Sequence, residues 1–198
     1  MQPNDDTLFR TDRVSETTGP RGSVVVVGLP RSGSSFLSHV LSQIPDWYVF
    51  DDLYLFRAAR ENRAMGALDD KKLRNLLTFL GWQIRARARF GLYAIPKVDE
   101  GEIDPMNEAL FQCFSHQGAT WLDLQEEWLI RLAARNGCRN WGYKMPGAFR
   151  HLKLLLEAYP NMKVIFLMRS PEEVLASYKH MPKTSQDGDP AQYLSLIH

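Results

Sequence analysis

The segment Ser23-Val-Val-Val-Val-Gly-Leu29 is short, apolar and β-branched throughout, and a turn rich in Pro, Gly and Ser follows it, Pro30-Arg-Ser-Gly-Ser-Ser35. A run without polar alternation suits a central parallel strand covered on both faces. Beyond the turn, Phe36, Leu37, Val40, Leu41 and Ile44 recur at helical spacing, which predicts a helix over 36–43 with those side chains inward. A chain that opens with strand, tight loop and helix is directed toward an α/β fold.

The remaining pattern agrees. Residues 46–50 read as a second strand ending in Asp51-Asp52. Residues 53–90 read as helix in two or more pieces, broken near Gly66 and Asp69. Residues 119–135 read as a further helix with Leu122, Trp128, Leu129 and Leu132 in the core. Residues 140–144 form a strand, and 148–159 an amphipathic helix stopped by Pro160. Residues 163–168 are a second buried strand, and Pro171 suits the first turn of a helix running to Lys179. The expected architecture is therefore a P-loop-containing three-layer α/β fold, a mostly parallel sheet flanked by helices. It occupies residues 23–198 behind a flexible polar leader, 1–22. The final residues, from Asp189-Pro190, begin a fresh helix that ends within a turn or two, so the chain reads as a fragment of a longer protein.

Composition removes several function classes. The formal net charge of +1 implies no general attraction to nucleic acid. The N-terminus has no apolar signal region, and no apolar run approaches the roughly 20 residues that span a bilayer. The expected location is cytoplasmic. Cys113 and Cys138 form no Cys-x-x-Cys pair, and no His/Cys/Asp cluster has metal spacing, so no metal is expected. Charge is uneven within the chain. Residues 57–97 hold ten Lys/Arg against three acids, whereas 98–130 hold eight acids and no Lys or Arg. Two complementary helical faces account for this, as does a basic wall facing an anionic ligand.

Gly28-Leu-Pro-Arg-Ser-Gly33 has the Gly-x-x-x-x-Gly spacing of a phosphate-binding loop, placed between strand and helix where that spacing has meaning. Successive backbone N–H groups and the positive end of the helix dipole converge there on an anion. Gly28 and Gly33 let the backbone approach it, while Ser34 and Ser35 add hydroxyl donors. The nucleoside-triphosphatase form has a lysine where Ser34 stands, followed by a magnesium-binding Ser/Thr. Here the cation, Arg31, lies inside the loop instead. Such a loop suits a single 5′-phosphate and a neighbouring anion better than a metal-bound triphosphate.

Leu29-Pro-Arg-Ser-Gly-Ser-Ser35 resembles the 5′-phosphosulfate loop of sulfotransferases that use 3′-phosphoadenosine 5′-phosphosulfate (PAPS), closest to the tyrosylprotein and bacterial group. The resemblance implies cofactor contacts by Arg31, Ser32, Gly33, Ser34 and Ser35. Arg169, after the later strand, and Ser177, on the following helix, resemble that family's 3′-phosphate site. Arg supplies forked donors to phosphate, and Ser a neutral one. A gap-free match places Asp52 where the family has its catalytic base, one methylene longer there. Asp51 and His116 are rivals, and helix capping is the other use of Asp52. Lys144, in Tyr-Lys-Met-Pro146, resembles the lysine that stabilises the transferring sulfuryl group, with Arg31 sharing that work. The resemblance implies PAPS as co-substrate, no metal, and an unidentified hydroxyl acceptor: small molecule, glycan or peptide. The alternatives are an ATP-using P-loop phosphotransferase and a truncated, non-catalytic nucleotide-binding module. The family's Gly- and Lys-rich closing segment has no counterpart in these residues.

Overall fold

The computed structural model describes residues 21–90 and 100–179. Residues 1–20 of the expected leader, and the helix expected from Asp189-Pro190, lie outside those residues. Within them the order is β1 (Ser23–Gly28), α1 (Ser34–Leu41), β2 (Trp47–Phe50), α2 (Leu55–Glu61), α3 (Asp70–Phe90), α4 (Glu100–Phe114), α5 (Trp121–Arg135), β3 (Asn140–Lys144), a 3-10 turn (Pro146–His151), α6 (Leu152–Ala158), β4 (Lys163–Leu167) and α7 (Pro171–Lys179).

The four strands form one parallel sheet in the order β2-β3-β1-β4. Every residue of β1 is buried, which explains its unbroken apolar sequence. Side chains alternate across a strand, so β1 has two covered faces. Val25 and Val27 join Tyr48, Phe50, Trp141 and Tyr143 in the main core, where α5 packs on β2 and β3. Val24, Val26 and Val49 are buried on the opposite face, where α1 packs. The expected three-layer α/β arrangement is present, with helices on both faces of the sheet.

Several local expectations are corrected. On α1 much of the apolar stripe faces outward: Phe36 is 61% exposed and Val40 41%, Ile44 just beyond the helix is also exposed and Leu37 and Leu41 are half-buried, while Ser34 and Ser38 are buried. The loop after β1 is only residues 29–33, so the covalent connection sets the rotation of α1, and the apolar stripe follows passively. β4 is not a buried strand among the described residues. It lies at the sheet edge, and Phe166 is 51% exposed. The helix expected over 148–159 opens as a 3-10 turn. Leu122 is only partly buried, and Trp121 and Leu124 hold the core positions beside it.

The acid-rich segment contains α4, a helix not apparent from the sequence pattern. It buries Ile103, Met106, Leu110 and Phe111 at helical spacing despite Pro105 inside it. Basic α3 and acidic α4 complement one another through Arg74–Glu108 and Arg85–Asp104, and α5 joins through Arg135–Glu102. The charge asymmetry is thus used within the fold. Among the described residues no helix is long and apolar enough to cross a membrane.

Candidate functional site

Each parallel strand delivers a chemically distinct group at its C-terminal end. β1 runs into the glycine loop, β2 into Asp51-Asp52, β3 ends on Lys144, and β4 is followed by Met168 and Arg169. Open α/β sheets bind ligands outside these ends, where successive connections leave in opposite directions. That point lies at β1 here. The chain leaves β1 for β2 on one side, and after β3 it crosses to β4 on the other.

The loop is built for close approach. Arg31 and Gly33 have φ of 67° and 95°, and Gly28 has φ of 150°. A Cβ on Gly28 would overlap the backbone carbonyl oxygen of Leu167, so only glycine lets β1 and β4 leave the sheet together. Ser32 turns inward: its Oγ donates to the Leu29 carbonyl at 2.6 Å and its N–H to the same oxygen at 3.3 Å. No side chain caps α1 at Gly33, so no side chain competes with an anion for the first-turn N–H groups.

Residues of the two anion sites expected from sequence lie together. Arg31 Nε donates to Ser177 Oγ at 3.1 Å, and Arg169 Nη1 donates to the Arg31 carbonyl at 3.4 Å. Arg169 Nε also lies 3.3 Å from Glu173 Oε2, one turn along α7. Ser170 opens α7 by accepting the Glu173 N–H on its Oγ, with Pro171 at the first position as anticipated.

The second cluster centres on Lys144, which is 3% exposed. Its Nζ lies 3.1 Å from Asp51 Oδ1 and also pairs with Asp52 Oδ1. An ammonium taken this far from water is stable only beside opposite charge. Backbone bonds hold the strand end: Leu53 N–H donates to the Lys144 carbonyl and Met145 N–H to that of Val26, each at 3.1 Å. Sequence reasoning missed two residues here. Ser38, on the buried face of α1, shares its hydroxyl proton between the Ser35 carbonyl at 2.9 Å and Asp51 Oδ1 at 3.2 Å. Gln83, on α3, donates through Nε2 to the Asp52 carbonyl and accepts the Tyr54 N–H through Oε1 at 3.4 Å. Ser38 could have been found as the residue one turn beyond Ser34. Gln83 carries no motif.

Asp52 has φ of 55°, and α2 begins only at Leu55, with Tyr54 at its N-cap and no side-chain cap bond. Asp52 is therefore not the cap of α2. His116 stands between α4 and α5, 84% exposed and 3.6 Å from Asp70. Asp70 opens α3, about 20 Å along the helix from Gln83, which separates His116 from the Lys144 cluster. His151 stacks on Phe56 at 3.5 Å, and burial, then the charges of Arg150 and Arg60, lower its pKa. Among the described residues no group of His, Cys, Asp and Glu could hold a metal ion. A cleft of about 250 Å³ between α3 and α4 is lined by Arg74, Thr78, Arg85, Asp104 and Glu108. Helical geometry puts those α3 positions on the side away from Gln83, and ion pairs bridge its rim. It is a seam between helices, remote from the strand ends.

The sulfotransferase family model matches residues 23–194. No curated protein matches the chain. Two solved structures are similar at 17% identity. One is an unliganded sugar kinase from Janibacter sp. HTCC2649, with 89% of this chain and 75% of that one covered at a TM-score of 0.39. The other is sulfotransferase STF9 from Mycobacterium avium, with 81% and 46% covered at a TM-score of 0.37. The chain thus spans less than half the length of that sulfotransferase.

Proposed function

We propose, from the premise that this chain belongs to the sulfotransferase family, that it forms the donor-binding core of an enzyme moving a sulfuryl group from PAPS to an acceptor hydroxyl. The observation that carries the reading is the convergence of Arg31, Arg169 and Ser177 beside an uncapped helix start. These are donors for two separated anions, as a nucleotide with 5′-phosphosulfate and 3′-phosphate groups requires. In this reading the loop N–H groups with Ser34 and Ser35 hold the 5′ side, and Arg169 with Ser177 holds the 3′ phosphate.

Sulfuryl transfer demands in-line positioning and stabilisation of charge on the oxygens around sulfur. The reading assigns proton acceptance from the acceptor hydroxyl to Asp52 and charge stabilisation at the leaving oxygen to Lys144, with Arg31 beside it. Asp51 then keeps Lys144 oriented, and Ser38 keeps Asp51 oriented. The contact between Lys144 and both carboxylates supports this division, since a base and a cation must face the same small volume.

The test is calorimetric titration with adenosine 3′,5′-bisphosphate, with and without magnesium, on the wild type and Arg169→Ala. Metal-independent binding is expected. Loss of the arginine should weaken it by about 1.5–3 kcal/mol, the worth of hydrogen bonds to a charged group. Binding of ATP that requires magnesium, with none of the bisphosphate, would replace this function with a phosphotransferase one.

A further inference from the structure

We propose that Gln83 is a positioning residue for sulfuryl transfer, holding the turn that presents Asp52. The proposal rests on the reading of Asp52 as the base. Gln83 is 2% exposed, on a helix whose other buried positions include Leu73, Leu76, Leu80 and Ile84. A carboxamide among leucines is unfavourable unless both its ends are hydrogen-bonded. Both are, and by the backbone of a single turn: the Asp52 carbonyl receives Nε2–H, and Oε1 receives the Tyr54 N–H. The residue between them, Leu53, donates its own N–H to the Lys144 carbonyl. The turn is therefore fastened to α3 on one side and to β3 on the other.

Chemistry makes this fit specific. The turn offers one carbonyl and one N–H, so its partner must supply a donor and an acceptor on one planar group. Leucine has neither, and an ionised glutamate has no donor for the carbonyl. The fastening also coincides with unusual backbone. Asp52 has φ of 55°, a left-handed conformation uncommon outside glycine, though aspartate enters it more readily than most residues. That backbone directs the Asp52 carboxylate to Lys144, which also pairs with Asp51. Gln83 bonds to the carbonyl of Asp52 and the N–H of Tyr54, both backbone groups, so it acts through the backbone of Asp52.

The experiment compares wild type, Gln83→Leu, Gln83→Glu and Asp52→Asn. Hydrogen exchange at the Tyr54 amide, bisphosphate affinity, and kcat and KM for transfer from PAPS to a phenol, a pyranoside and a tyrosine peptide are measured across pH. Gln83→Leu should speed Tyr54 exchange about tenfold or more, as an amide losing its protecting bond does. Its kcat should fall by about 100-fold, the cost of a misplaced reacting group, with bisphosphate affinity retained. Gln83→Glu should regain activity relative to wild type as pH falls, because its protonated carboxyl again donates to the Asp52 carbonyl. Unchanged Tyr54 exchange in Gln83→Leu overturns the proposal, as does a loss of kcat matched by an equal loss of bisphosphate affinity. If wild type transfers to none of the acceptors, or Asp52→Asn transfers as well as wild type, the base reading falls. The fastening of the turn is then decided by Tyr54 exchange.

Discussion

Lys144 sits between two carboxylates, with its side chain 4% exposed and theirs 16% and 14%. Substituting it removes the charge that makes their burial tolerable. Lys144→Met should therefore cost about 3–5 kcal/mol of stability, as breaking a buried pair does, read from urea denaturation midpoints. The double replacement of Asp51 and Asp52 by Asn alongside Lys144→Met should recover part of that loss. His151 has a different effect. Burial lowers its pKa in the folded state, so the unfolded chain binds more protons in the window just below the ordinary histidine value of 6.5. Its contribution is fully present above that value and is lost as pH falls through the window. His151→Phe should accordingly flatten the decline in melting temperature between neutral pH and about pH 5.5. Asp52 and Lys144, which the structure pairs, were singled out by resemblance to family motifs placed between the glycine loop and Arg169. Gln83 could not be, because its partners are backbone groups some thirty positions earlier in the chain, and backbone leaves no trace in residue type.

α1 shows how far periodicity can mislead about an element. Its apolar stripe predicts a buried Phe36 and Val40, and the fold buries Ser34 and Ser38 instead. Phe36→Ser should thus change stability by less than about 0.5 kcal/mol, as exposed substitutions do. Ser38→Leu, at a position 1% exposed, should cost about 1–3 kcal/mol by overpacking and should release Asp51 as well. Differential scanning calorimetry of the two variants reads the contrast. α5 obeys its local signals. Thr120 accepts the Asp123 N–H at 3.3 Å, and the Asp123 carboxylate accepts the Thr120 N–H at 2.7 Å, closing a capping box. Strand and helix existence was legible for most elements because each carries its own period. α4 is not legible in the same way, because its acids and Pro105 obscure the positions it buries.

For the whole molecule, the glycine loop, Arg169 and Ser177 come together only when β1 and β4 lie side by side, and the proposed donor site depends on that pairing. A ligand that bridges them should stabilise the folded chain. At a bisphosphate concentration of about 100 times Kd the gain is about 2.7 kcal/mol. For a domain of this size that corresponds to a rise of about 5–11 °C in melting temperature, measured by thermal unfolding with and without the ligand. The ion pairs joining α3, α4 and α5 are largely exposed, so salt should alter the melting temperature of the free chain far less than it alters bisphosphate binding.

The chain's own order was enough to specify the strand–loop–helix unit and the α/β class. Each of these depends on neighbours within a few residues, where spacing and side-chain chemistry act directly. The rotation of α1, the edge position of β4, the pairing of Lys144 with both aspartates and the reach of Gln83 to Asp52 were decided by tertiary structure. They depend on the direction in which covalent connections leave the sheet and on contacts between groups distant in sequence, and no local period encodes either.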